Sequence, residues 1–413
     1  MDPTSQKVYY TPGTNEDITT ADVELPVLET LIQGSGNSTT PVAYINFEGL
    51  TFSYATWYDP SGANGYVCDQ SGFHLTGSGH STNLTGHDAN VTRTPGNISF
   101  SYAQNIIFTG NTFEHLGAAA LDFGTGSQNN QITNNIFDDI SSAAIQLGGV
   151  SVTDHHPSLA SQTTKDNIIS NNLIQYTGQE FYDAAGIYVG FTTHSVVQHN
   201  DIVHVPWSGI AIGWGWGLLD PDGFPGLPYA SPNMWGSYPT PTPAMQNQIL
   251  HNKIQFFLEK LWDGGAIYST GYQGTSLADG QNIAFNVAMD KRADAGGNIF
   301  YTDGGSRYIT LEGNVSLNNP QGYLDFGPCG LSSSLPLCTS TNVDVYGADT
   351  GGCIPYGDLS FKTNYLRDIT TFYDICFNVF TVGYPVRITS IGNVTVAMSS
   401  QVPSLILNSA GRQ

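Results

Sequence analysis

Asn134-Asn135-Ile136-Phe137, followed ten residues after Asn135 by Ala144-Ile145, is the phrase on which the fold turns. Gly110-Asn111-Thr112-Phe113 leads in the same way to Ala120-Leu121, and His199-Asn200-Asp201-Ile202 leads to Gly209-Ile210. Gly313-Asn314-Val315 keeps the offset to Tyr323-Leu324, whereas Asn171-Asn172, His251-Asn252 and Phe285-Asn286 reach Ile187, Ile267 and Ile299 after slightly longer turns. The second asparagines are spaced 24, 37, 28, 52, 34 and 28 residues apart, which reads as a coil of roughly 22 to 28 residues with insertions leaving its turns. An asparagine at a fixed corner suits such a coil, because its amide can bond its own turn, pair with the next asparagine above, and tolerate left-handed dihedrals. The pattern predicts an all-β fold, a single-stranded right-handed parallel β-helix of the pectate-lyase-like kind with loop insertions.

Aligning the coils on Leu121, Ile145, Ile187, Ile210, Ile267, Ile299 and Leu324 stacks those residues inside, since strand side chains alternate between faces. The next position then faces out and reads Asp122, Gln146, Tyr188, Ala211, Tyr268, Phe300 and Asp325. Large aromatics on such a face call for a ligand or a covering loop.

One continuous domain is expected in three parts. Residues 1–100 read as decorated early coils, with weaker copies at Ala43-Tyr44-Ile45-Asn46-Phe47 and Phe73-His74-Leu75-Thr76. Residues 101–327 are the regular coils that carry the site. Residues 328–413 lose the repeat and read as irregular coils with a cysteine cluster: Cys329, Cys338, Cys353 and Cys376 are compatible with one or two disulfides, leaving one free thiol among the five cysteines, Cys68 included. Residues 218–245 are too rich in proline for a strand and interrupt the repeat as a long loop.

Composition narrows the partners. With 34 acidic against 12 basic residues, the net charge of -22 repels a phosphate backbone or an anionic bilayer. No apolar run approaches the roughly 20 residues needed to span a membrane. Neither nucleic acid nor membrane is an expected partner. The low charge content, 11%, and a polar, aromatic-rich surface resemble secreted hydrolases, so an extracellular location is expected, with a signal segment absent from this sequence.

Acids, tryptophans and glycines converge in four phrases: Glu180 to Ile187, Pro206 to Gly217, Leu261 to Tyr268 and Tyr301 to Tyr308. Hydrolysis of a glycosidic bond needs two carboxyl groups across it, one to protonate the leaving oxygen and one to attack or to activate water. Asp263 and Asp303 are the first pair, each followed by two glycines that would let backbone approach a sugar. The competing reading is that Asp-Gly-Gly only makes turns.

Register sets a difficulty. Asp263 lies four residues before Ile267 and Asp303 four after Ile299, roughly 26 Å apart along a straight strand at about 3.3 Å per residue. They cooperate only if the chain bends. Asp183 lies four before Ile187, in the column of Asp263 with one coil between. That separation of about 9.6 Å is near the roughly 6.5 to 9.5 Å of inverting glycosidases, and Asp183 is the third catalytic candidate. Trp214, Trp216, Tyr268, Tyr188, Tyr301, Arg307 and His156 are the candidate substrate-binding residues. Trp214 and Trp216 could equally pack beneath the 218–245 loop. No cofactor is expected. A metal site is a minor alternative, resting on the calcium that some acidic β-helices bind.

These phrases resemble the β-helix proteins of glycoside hydrolase family 141, whose activities include an α-L-fucosidase and a xylanase. The likeness spans roughly residues 40–325. It is strongest in Gly186-Ile187-Tyr188-Val189-Gly190, Ser208 to Gly217, Trp262 to Tyr268 and Tyr301 to Arg307. In that family two aspartates about forty residues apart are proposed as catalytic, and the resemblance places those roles on Asp263 and Asp303. It also implies further coils before the segment Lys7-Val8-Tyr9-Tyr10-Thr11-Pro12.

Three functions compete. A glycoside hydrolase with paired aspartates acting on a polysaccharide or oligosaccharide is preferred. A polysaccharide lyase would need cations to neutralise a uronate, and the central basic residues considered for it, Lys291, Arg292 and Arg307, are few. A non-catalytic glycan-binding or structural β-helix would use Trp214, Trp216 and Tyr268 as its binding strip.

Overall fold

The computed structural model describes residues 5, 7, 9–63, 65–75, 91–215, 220, 240–292, 298–303, 306–319, 326–327, 357–366, 388–396 and 398–413. Among them almost all regular structure is β, in three long parallel sheets of nine, ten and ten strands. The first sheet runs from Ile32–Ser35 through Ala119–Phe123, Ile187–Val189 and Ile267–Ser269 to Phe326–Gly327. The second runs from Asn46–Glu48 to Ile388–Ile391, and the third from Thr51–Ala55 to Val394–Thr395. The chain visits the sheets in turn. Each circuit adds one strand to each, and every pairing within these sheets is parallel.

The strands are short because each presents only one or two residues inward. Phe108, Ile132, Ile169, Val197, Ile249 and Ile283 form one inward column of the second sheet, all at most 1% exposed. Phe113 and Phe137 stack at 4.4 Å in the third sheet, and Phe100 and Phe123 at 5.2 Å in the first. Like residues stack on like in consecutive circuits, and burial of their apolar surface stabilises the fold at about 25 cal/mol per Å².

The predicted asparagine corner joins the second sheet to the third. The side-chain Nδ2 of Asn111 donates to Oδ1 of Asn135, and the relay continues through Asn172, Asn200, Asn252, Asn286, Asn314 and Asn364 to Asn393 at 2.9–3.1 Å. Each Oδ1 also accepts the backbone N–H of the asparagine one circuit earlier. Each Nδ2 bonds a backbone carbonyl such as Phe108 O or Ile132 O. The residue before each asparagine is left-handed, from Gly110 (φ 66°) and Asn134 (59°) to His251 (54°), Phe285 (57°) and Thr363 (47°). Asn364 and Asn393 carry the column into strands beyond residue 328. A shorter ladder at the corner between the first and second sheets uses Asn130, Asn167, Ser195 and Asn247.

Two sequence expectations shift. Ile267 pairs with Phe300, not Ile299, and Phe300 pairs with Phe326. Tyr301 is therefore the outward residue beside Tyr268, and Phe300 is fully buried. Ile299 and Phe300 are both apolar and both buried, so pattern alone could not choose between them, and a one-residue slip exchanges the faces. Leu324 and Asp325 lie outside the described residues. The segment Phe73–Leu75 is not an early coil. It is the middle strand of a small antiparallel sheet with Val67–Cys68 and Val91–Arg93, and this sheet packs on the outer face of the first long sheet. Phe73 stacks on Trp214 at 4.0 Å and meets Tyr188 edge-on at 5.3 Å.

Removing one rung should be costly. Asn200→Ala removes the acceptor of the buried N–H and Nδ2 groups of Asn172, and is expected to lower the unfolding free energy by about 2–4 kcal/mol. Asn134→Gly, at an exposed left-handed corner, is expected to change it by no more than about 1 kcal/mol. Urea denaturation followed by circular dichroism separates the two.

Candidate active site

The outward column of the first sheet reads, in register, Gln33, Ser99, Asp122, Gln146, Tyr188, Ala211, Tyr268 and Tyr301. Asp303 follows Tyr301 by two residues and so projects from the same face. Its N–H bonds Ser269 O at 2.8 Å. Asp263 closes the turn that enters Ile267–Ser269, at φ 61°, and its carbonyl accepts Trp207 Nε1 at 3.3 Å. Gly264 is required here. A Cβ would stand 2.5 Å from Trp207 Nε1 and 2.6 Å from Ser208 Oγ, so this glycine makes room for protein and not, as expected, for a sugar.

The two acids do not sit a straight strand apart. Tyr301 Oη donates to Asp263 Oδ1 at 3.2 Å, and Gln70 Nε2 reaches Asp263 Oδ2 at 3.5 Å. Tyr268 Oη lies 3.2 Å from Gln70 Oε1 and 2.5 Å from Asp303 Oδ2. A phenol has one proton, and the short contact to a carboxylate takes it. Gln70 Oε1 then faces the phenol oxygen with no proton between them, so Asp263, Gln70, Tyr268 and Asp303 form a row of polar contacts and not an unbroken hydrogen-bond chain. Tyr268 is packed between Trp207 at 5.2 Å and Tyr301 at 5.4 Å.

Electrostatics differentiates the acids. Partial withdrawal from water, and then the charge of Asp303, push the Asp263 carboxyl above the usual carboxylate range, while the Tyr301 hydrogen bond pulls it back. Burial, with Asp303 beside it, holds Tyr268 well above the usual phenol value, so it stays a donor. Asp263 is exposed to solvent, and Asp303 is only 4% exposed.

Asp183 is placed otherwise. It is 2% exposed, accepts Tyr66 Oη at 2.9 Å through Oδ1, and has no hydrogen-bond partner at Oδ2 among the described residues. Trp57, Tyr66, His74 and Phe181 pack together over it. Burial raises its carboxyl to about 7. Asp183 therefore lies beneath the small antiparallel sheet, sealed from solvent.

The remaining candidates divide. Tyr268 and Tyr301 belong to the acid network. Tyr188 is fully buried and Trp214 2% exposed, both covered by Phe73, so neither offers a ring face to a sugar. Packing accounts for both. Arg307 is held by Asp358 at 2.8 Å and Tyr272 Oη at 2.9 Å, between the rings of Tyr272 and Tyr308. His156 bonds His155 and the carbonyl of Thr240. Trp216, Gly304-Gly305 and the four C-terminal cysteines lie outside the described residues, and Cys68 is a free thiol.

Gln70, Tyr66 and Trp207 were not among the predicted residues. Trp207 was visible in the phrase Pro206-Trp207-Ser208. Gln70 and Tyr66 lie far from the repeat in sequence, and only the folding of 57–75 over the first sheet brings them to the acids.

No protein-family model matches the chain, and no curated protein does. Three solved chains match in structure. One, described as "Glycoside hydrolase", superposes with a TM-score of 0.65 at 21% identity, covering 94% of this chain and 53% of that one. Another, "The complex structure of XylC with xylose", gives a TM-score of 0.44 at 13% identity, covering 88% of this chain and 51% of that one. The chain spans about half the length of each.

Asp183 sets a pH dependence. Its folded pKa, about 7, exceeds the unfolded value near 3.9, so between them the native state binds the extra proton and stability falls as pH rises, by at most about 1.4 kcal/mol per pH unit. Asp183→Asn is expected to flatten this slope between pH 4 and 7 in urea denaturation. An unchanged slope would mean that this carboxyl ionises freely in the native state.

Proposed function

We propose that the chain is a glycoside hydrolase that cleaves a polysaccharide or oligosaccharide with Asp263 and Asp303, on a right-handed parallel β-helix like that of glycoside hydrolase family 141. The observation that carries the reading is the row of polar contacts through Gln70 and Tyr268 that brings two carboxyl groups forty residues apart in sequence to one place. The solved neighbour described as a glycoside hydrolase supports the frame. Asp263, exposed and with a raised pKa, is the general acid that protonates the leaving oxygen. Asp303, accepting a hydrogen bond from Tyr268, is the opposing carboxylate at the anomeric carbon, either directly or through water. Tyr301 and Gln70 hold Asp263 in place. The lyase alternative gains nothing from Arg307, whose guanidinium is already engaged by Asp358. We take the protein to be one continuous, secreted domain that acts on carbohydrate without a cofactor.

Reducing-sugar release from xylans, fucosylated glycans and pectins tests the proposal. Asp263→Asn and Asp303→Asn are each expected to lower the rate by about 10²–10⁴-fold with the fold retained. Full activity in either variant would overturn the assignment. The general acid acts protonated, so activity should fall as pH rises through the Asp263 pKa. Tyr301→Phe removes the bond that lowers this pKa and is expected to move the alkaline limb of kcat to higher pH. A limb that stays put, or moves down, would assign the acid role to another group.

A further inference from the structure

The outer face of the first sheet is divided in two. Its aromatic half, Tyr188 to Tyr301, lies under Phe73 and Gln70. Its polar half, Gln33, Ser99 and Asp122, opens into a cleft of about 470 Å³, within the roughly 300–1,000 Å³ of small-molecule sites. Asp122 and Tyr268 are four strands apart in the outward column, about 19 Å at 4.8 Å per strand. Phe73 stands between them, packed on Tyr188 and Trp214. The cleft is therefore separate from the acid pair.

Its chemistry is specific. Arg93 Nη2 grips both oxygens of Asp122, at 2.8 and 2.9 Å, with the two side chains 17% and 14% exposed. Arg93 also bonds the carbonyl of Gly148. Asp154 is fixed by Thr125 Oγ1 at 2.7 Å and by the N–H and hydroxyl of Ser151. Ser99 and Ser101 add half-buried hydroxyls, while Phe73 and Phe100, which border the cleft, are only 1% and 4% exposed. One cation against two carboxylates leaves no positive surplus for an anion. Paired charged groups with lone pairs left to accept, together with several hydroxyls, complement a ring with vicinal hydroxyls.

We propose that this cleft is a second saccharide site, which takes a neutral pyranose unit and rejects uronates. It does not depend on the acid pair being catalytic. A protein that carries it holds a polysaccharide at one place on the sheet while another stretch of chain, or another chain, meets Asp263 and Asp303.

Titration calorimetry of the full chain tests it, with xylotriose, cellotriose, L-fucose and trigalacturonate as probes. Asp263→Asn protein is used throughout so that turnover does not interfere. A neutral probe is expected to bind, trigalacturonate at least tenfold more weakly. Ser99→Trp and Ser101→Trp, which fill the cleft from half-buried outward positions without entering the core, are each expected to weaken the neutral probe at least tenfold with thermal unfolding unchanged. Binding untouched by both tryptophans, tighter binding of trigalacturonate, or no binding of any neutral probe would overturn the proposal. Failure of reducing-sugar release alone would overturn the hydrolase reading and leave this one standing.

Discussion

A buried amide must find partners for its oxygen and both of its N–H groups, and in this protein it finds them in its own column and in the backbone carbonyls beside it. The asparagine relay from Asn111 to Asn393 satisfies each amide with the circuits before and after it. Moving any circuit by one residue would leave a carboxamide, and the backbone N–H that feeds it, unpaired in an apolar interior. That penalty fixes the register of the second and third sheets. The first sheet, reached through longer connections such as 256–266, keeps its register by its own parallel pairing, which sets Tyr268 beside Tyr301.

The ladder also explains what the fold tolerates. Asn200 and Asn252 are 52 residues apart in sequence, yet their amides meet at 2.9 Å as do those separated by 28. Loop length between rungs does not enter the geometry of the corner. Insertions can therefore emerge beside the first sheet and alter its outer face without disturbing the stack.

Sequence pattern revealed the stack because its period is enforced by buried polar groups, which leave a visible asparagine. It was poor where two neutral choices were equivalent. Ile299 and Phe300 are both apolar, and the reading that selected Ile299 turned Tyr301 away from the face where it bonds Asp263. It missed what has no period: Trp57 to Leu75 cross the sheet through side-chain packing, so nothing local in Cys68-Asp69-Gln70 marks Gln70 as a neighbour of Tyr268. The same covering sheet explains why Tyr188, read as an outward residue, and Trp214, read either as a sugar platform or as packing beneath a loop, are packed beneath Phe73 instead of open to solvent.

The relay has a sense. Every Nδ2 points toward the following circuit and every Oδ1 toward the preceding one, so the amide dipoles add along the stack instead of cancelling, and each hydrogen bond polarises the next. The two ends of the column therefore ask for opposite things. At the start, where Gly49-Leu50 stands in place of an asparagine pair, the backbone N–H of Leu50 donates to Asn111 Oδ1 at 3.0 Å, and any residue with an N–H can terminate the line there. At Asn393, the last asparagine of the relay among the described residues, Nδ2 is satisfied by the carbonyl of Phe361 at 3.2 Å, a lone pair in place of an N–H. The column is a one-way structure, closed at its two ends by different chemistry.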